Sequence, residues 1–277
     1  MHKPLAHLPI LLLTASLAHA SAALAQDNAP EEIPFAGGVI ANTPTPDGEK
    51  IVTFGGEEIG RDFQAWFERT ATVAGTEVAL ISLGAGGNAC GPYTLIVWPD
   101  ESGAVRADTL GDDCTQPAPA VSDYAIQFVP YLGPGESLPA YSWTPEEGFR
   151  VAGMLQFVPQ PGTGWDDLAA DPGLHPERYL SNEALYDYAT EIIGGELRQY
   201  ATGLQTASDM EKIGDGIYAG SGCVAHDCGS ANSLIVVDFN ANKAWFAQFR
   251  EGKIAQWPAP DMWPAVARDA LEQFSSL

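Results

Sequence analysis

Apolar and polar positions first change their period near residue 160. Before that point short runs rich in β-branched and aromatic residues, VALISL (78–83), YTLIVW (93–98), AVRADTL (104–110), YAIQFV (124–129) and FRVAGMLQFV (149–158), are separated by Gly, Pro and Asp. Runs of this kind predict the strands of a compact sheet domain or small sandwich, with PDESG (99–103) as a hairpin turn. Beyond it, Ser181 stands as an N-cap before Leu185, Tyr188, Ala189, Ile192 and Ile193, the stripe of a helix with one buried face, which Gly194 and Gly195 end. DGIYAGSGC then reads as a strand, and SLIVVDF (233–239), NANK and AWFAQF (244–249) as a β-hairpin. Pro264 opens a final amphipathic helix through Val266, Ala267, Ala270, Leu271 and Phe274. The predicted fold is an α+β C-terminal domain, an antiparallel sheet with flanking helices, behind a mainly β N-terminal domain.

Punctuation sets the expected boundaries. The chain opens with Lys3, an apolar run from Leu8 to Ala18 and then small residues, the pattern of a signal peptide spanning 1–25 and cleaved after Ala20 or Ala25. Residues 26–48, rich in Pro, Asp, Glu and Asn without periodicity, read as a flexible leader. The β-rich domain follows at 49–159, VPQPGTGWDD marks a linker at 160–164, and the α+β domain covers 165–277. No later run approaches the ~18 apolar residues of a membrane span. A soluble protein exported to a bacterial periplasm is expected, without membrane insertion.

Charge narrows the partners. With 36 acidic against 13 basic residues the formal charge is -23, so a nucleic-acid partner is excluded for want of a basic patch. Such a surface attracts cationic proteins. Export also bears on the four cysteines, because oxidising compartments preserve disulfides. The local pairings Cys90–Cys114 and Cys223–Cys228 have the lowest closure cost, and stabilise by roughly 3.5 and 2 kcal/mol in the chain-entropy model. Asp112 and Asp113 in GDDC form a solvated turn rather than a cation site.

The chemistry concentrates in GSGCVAHDCGS, where Cys223, Val224, Ala225, His226, Asp227 and Cys228 form one short loop. Zinc would find two thiolates and one imidazole but no fourth ligand, since His175 is the only other histidine past the signal segment. A redox pair favours Cys-x-x-Cys at a helix start, and this is Cys-x4-Cys leading into a hairpin. A catalytic triad on His226 and Asp227 lacks a nucleophile identifiable from sequence. Two readings remain open: a histidine that caps its own turn, and a pre-ordered protrusion that enters a partner's cleft. Neither needs a metal, a cofactor or catalysis.

CVAHDCGS followed by an apolar strand resembles the Cys-Lys-Pro-His-Asp-Cys loop of the inhibitor of vertebrate lysozyme (Ivy) family of Gram-negative periplasms. The order helix, strand, bracketed loop, hairpin is similar too. This resemblance implies that the loop plugs the cleft of a c-type lysozyme, with His226 hydrogen-bonding the catalytic carboxyl groups, Asp227 beside it, and Cys223–Cys228 as the staple. Lysozymes of that type are strongly basic, which gives the acidic surface a use. The simple inhibitors are dimers, so a homodimer is a further expectation. Val224 and Ala225 replace the family's Lys-Pro, removing a cation and a φ-fixing ring. The GGNAC stretch before Cys90 resembles exported bacterial domains of unknown role. A competing expectation is an envelope adaptor that docks the cell's own lytic transglycosylases or another cationic partner.

Overall fold

The computed structural model describes residues 31–86, 91–111, 116–225, 227–229 and 231–275. Cys90, Cys114, Asp112, Asp113, His226 and the expected signal peptide lie outside the described residues. The N-terminal region is three stacked antiparallel sheets. The first contains β1 (Glu31–Phe35), β2 (Gly38–Pro44), β3 (Lys50–Phe54) and β4 (Glu57–Asp62) in sequential order. The second contains β5 (Gln64–Val73), β6 (Thr76–Gly84), β7 (Tyr93–Pro99) and β8 (Val105–Thr109), and the third β9 (Pro119–Val121), β10 (Ile126–Phe128), β11 (Ser137–Thr144) and β12 (Gly148–Gln156).

The second sheet is the middle layer. Ala79, Ile81, Leu83, Leu95 and Val97 pack toward Phe35, Ile40 and Val52 of the first sheet. Val78, Leu80, Ile96 and Trp98 pack toward Ile126, Phe128 and Trp143 of the third. Burial on both faces explains why VALISL and YTLIVW are mostly apolar without alternation: few positions of such a strand are left for solvent. The PDESG turn joins β7 to β8, with the Asp100 carboxylate accepting from the Ser102 and Ala104 amides, the Ser102 hydroxyl and Arg106 Nε. These donors hold Asp100 down at about 2.

Residues 31–48 correct the expected leader. They form the hairpin β1–β2 and the turn into β3, with Phe35 and Ile40 buried. Polar composition misleads here because this sheet is an outer layer, and each of β1, β2 and β3 buries a single side chain.

In the C-terminal region, α1 (Trp165–Ala170), α2 (Pro176–Tyr179), α3 (Glu183–Ile193) and α4 (Leu197–Thr202) precede a six-stranded antiparallel sheet. Its strands are β13 (Thr206–Ala207) and β14 (Glu211–Gly214), both on β15 (Ile217–Cys223), then β16 (Ala231–Asp238), β17 (Lys243–Arg250) and β18 (Lys253–Trp257). Helix α5 (Ala265–Phe274) closes the chain. Alternation in β16 and β17 sorts the two faces: Ile235, Val237 and Phe246 meet the first four helices, while Leu234, Val236 and Trp245 meet α5. The fold class is as expected.

Helix α3 is capped one residue later than predicted, because Asn182 rather than Ser181 takes the cap position and accepts from the Leu185 amide at 3.1 Å. Ser181 instead offers its carbonyl to Gln160 at 2.8 Å. The Pro- and Gly-rich break at 160–164 is tied down in the same place: Gly162 donates to Glu183 Oε2 at 2.6 Å, and Gly164 accepts from Asn182 Nδ2 at 2.8 Å. The two regions also touch at Gly135, where a Cβ would lie 2.9 Å from the Arg198 amide nitrogen, and through the Glu136–Arg198 pair at 3.5 Å.

Tyr200 is fully buried, and its hydroxyl donates to the Leu234 carbonyl at 2.9 Å. Burial pushes its pKa well above the ordinary tyrosine value. A phenol with a raised folded pKa contributes stability that is complete below about pH 10 and is lost as pH rises toward the folded value. Stability of the C-terminal region is therefore expected to fall above about pH 10. Tyr200→Phe should cost about 1 kcal/mol at neutral pH and flatten that alkaline slope. Urea titrations at several pH values check both; an unchanged slope would remove Tyr200 as its cause.

Candidate functional site

Strand β15 delivers the cysteine loop. Its small residues Gly220 and Gly222 let neighbouring segments approach: a Cβ on Gly222 would sit 2.8 Å from Ala207 Cβ and 3.0 Å from Leu204 Cα. Cys223 ends the strand between Thr206 of β13 and Asn232 of β16, and is 7% exposed. One of the two cysteines is thus held by strand pairing on both sides.

The chain then turns back. Val224 donates to the Ala231 carbonyl at 3.1 Å, extending the ladder by one step, and Asp227 donates to the Val224 carbonyl at 3.0 Å to close a tight turn. Gly229, at φ +104°, takes a conformation L side chains avoid, and its amide donates to Asn232 Oδ1 at 2.9 Å. Cys223 and Cys228 are disulfide-bonded, with Cα atoms 4.9 Å apart. Ala225, Asp227, Cys228 and Gly229 are exposed, and Val224 is half-buried. The result is a short, exposed, cystine-closed turn rooted in a six-stranded sheet. The sequence singled out the cysteines, but gave no signal for Asn232, whose side chain anchors the return.

The same end of the sheet carries the β17–β18 turn, with Arg250 opposite Ala231 and Lys253 opposite Arg250. Two of the few cations in the chain therefore sit near the loop's root. A groove of about 270 Å³ lies between β14, β15 and α5, and its hydroxyls Ser208 and Ser221 make no hydrogen bond to a histidine or carboxylate among the described residues. No three His, Cys, Asp or Glu side chains among the described residues gather as a metal cluster. His175 caps α2, its Nδ1 accepting from the Glu177 amide at 3.4 Å. Half-burial raises the pKa of Glu177, which His175 opposes and Glu136 reinforces. No helix among the described residues is long and apolar enough to cross a membrane.

Comparison with known proteins gives this arrangement a class. Residues 184–276 match the family model of the inhibitor of vertebrate lysozyme (Ivy), and residues 36–156 match that of the Y4bG N-terminal domain. An Ivy-type domain thus stands behind a domain of a second, uncharacterised family, and the cysteine loop lies within the Ivy match. The chain is similar to "Uncharacterized protein y4bG" of Sinorhizobium fredii (strain NBRC 101917 / NGR234), 24% identical over 228 residues, 82% of this chain and 84% of that one. No solved structure matches it.

Proposed function

We propose that this chain is an exported inhibitor of c-type lysozyme that occludes the muramidase cleft with the Cys223–Cys228 loop. The observation that carries the reading is the exposed, cystine-closed turn within the segment that matches the inhibitor family. Anchoring by β13, β16 and Asn232 means that ordering entropy is met during folding, so little is lost when the loop enters a cleft. His226 is the residue we assign to the catalytic carboxyl groups, one protonated and one ionised in such enzymes, because an imidazole can hydrogen-bond to both. Asp227 flanks it. The small side chains of Val224 and Ala225 keep the wedge narrow, at the cost of the cation that other family members place there. The acidic surface speeds encounter with a cationic enzyme. In this reading the protein is not itself an enzyme. It matures by cleavage after Ala20 or Ala25, works in the periplasm, and carries a second disulfide, Cys90–Cys114.

Lysis of a peptidoglycan suspension by c-type lysozyme tests this. The mature protein is expected to slow lysis. His226→Ala should weaken inhibition about 10- to 100-fold, the equivalent of one charge-assisted hydrogen bond of about 1.5–3 kcal/mol. An unchanged lysis rate at high excess of the wild-type protein would overturn the proposal. Inhibition of an endogenous lytic transglycosylase alone would replace it with an adaptor of the cell's own enzymes.

A further inference from the structure

We infer that the N-terminal region holds a binding site for a small zwitterion with an apolar substituent, of the amino-acid or short-peptide class. The site is a cavity of about 470 Å³ between the middle sheet and the segment leading into β9, a size that suits small ligands. Leu80, Pro92 and Pro119 supply apolar wall. Against that wall stand two opposite charges and two hydroxyls.

A bulge creates the charge pair. The β5–β6 register runs from Phe67 opposite Ile81 directly to Arg69 opposite Leu80, leaving Glu68 as the extra residue. Successive strand residues ordinarily face opposite sides, but here Glu68 and Arg69 both line the cavity. Ser82 Oγ donates to Glu68 Oε1 at 2.7 Å, and the Trp66 indole donates to the same oxygen. Glu68 and Arg69 are both exposed at the cavity, and Oε2 and the Arg69 guanidinium make no hydrogen bond or ion pair among the described residues, so both charges are open to a ligand from solvent. Thr94 lines the cavity directly across from Ser82 and is only 5% exposed, so its hydroxyl is set deep in the wall.

These groups select the ligand by elimination. A plain anion would leave Glu68 unanswered and meet the repulsion of a strongly acidic chain. A plain cation would leave Arg69 unanswered. A zwitterion answers both: its ammonium donates to Glu68 Oε2 and the Thr94 hydroxyl, its carboxylate takes the Arg69 fork, and its side chain lies on Leu80 and the prolines. This inference is independent of lysozyme inhibition and stands or falls without it.

Isothermal titration of the mature full-length chain with L-leucine and with the dipeptide Leu-Leu tests it. At least one is expected to bind below about 1 mM, and the tighter of the two identifies free amino acid or peptide as the source. N-acetyl-leucine, which lacks the ammonium, and leucinamide, which lacks the carboxylate, should each bind about tenfold or more weaker. Glu68→Gln, which can still accept from Trp66 and Ser82, and Arg69→Gln should each weaken leucine or Leu-Leu about tenfold with unchanged thermal unfolding. The inference is overturned if neither probe binds at about 10 mM. N-acetyl-leucine binding as tightly as leucine, or Glu68→Gln leaving affinity unchanged, would overturn it equally.

Discussion

Phe246→Ala is expected to destabilise the C-terminal region by about 3–5 kcal/mol, a large part of the stability of an ordinary domain. Phe246 lies fully buried in β17, with its ring centroid 5.4 Å from that of Tyr200 and 6.3 Å from that of Tyr188. The cost depends on whether neighbours can close the void. Tyr200 is tied by its hydroxyl to Leu234, its backbone carbonyl accepts from Ser233 Oγ at 2.7 Å, and Ser233 is itself fully buried. A ring held at both ends cannot relax into the cavity, so the upper part of the range is expected. Urea unfolding measures the change, with Phe63→Ala, at a half-exposed position, as a near-neutral control. A loss below about 1 kcal/mol would show that the helical layer collapses freely onto the sheet.

Gly222→Val is the substitution expected to couple stability to inhibition most directly. A Cβ there meets Ala207 Cβ at 2.8 Å, and Leu204 Cα and the Thr206 carbonyl at 3.0 Å, so backbone rather than a flexible side chain must give way. Displacing Thr206 removes one of the two strands that clamp Cys223. The expected cost is about 1–3 kcal/mol of overpacking, with the bulkier valine toward the top. Under the proposed function the lysis assay should lose potency as well, even at temperatures where the variant remains folded, because the loop is no longer rooted in place. Gly195→Ala, with open space around its Cα and an ordinary φ, serves as the control. Full potency in a folded Gly222→Val protein would mean that the disulfide alone orders the loop.

The sequence was most legible where one element carries one pattern. VALISL and YTLIVW announced strands because their short runs are mostly apolar and bounded by turn residues, and the stripe from Leu185 to Ile193 announced α3 because one helical face is buried. It was least legible in β1 to β4. There Phe35, Ile40 and Val52 are each the lone buried residue of their strand, and single buried positions leave no period to read. The cysteine loop was visible from spacing alone, since two cysteines so close in sequence have a low closure cost.

What the sequence determined by itself is local: strand and helix identity, the switch of period near residue 160, and the pairing of Cys223 with Cys228. These follow from side-chain period and short-range closure, which act over a few residues. Only the tertiary structure decided that the supposed leader is an outer sheet, that β13 and Asn232 brace the loop, and that Glu68 and Arg69 share a cavity. Each depends on segments far apart in the chain meeting through strand register, and register is fixed by the packing of layers rather than by any one run of residues.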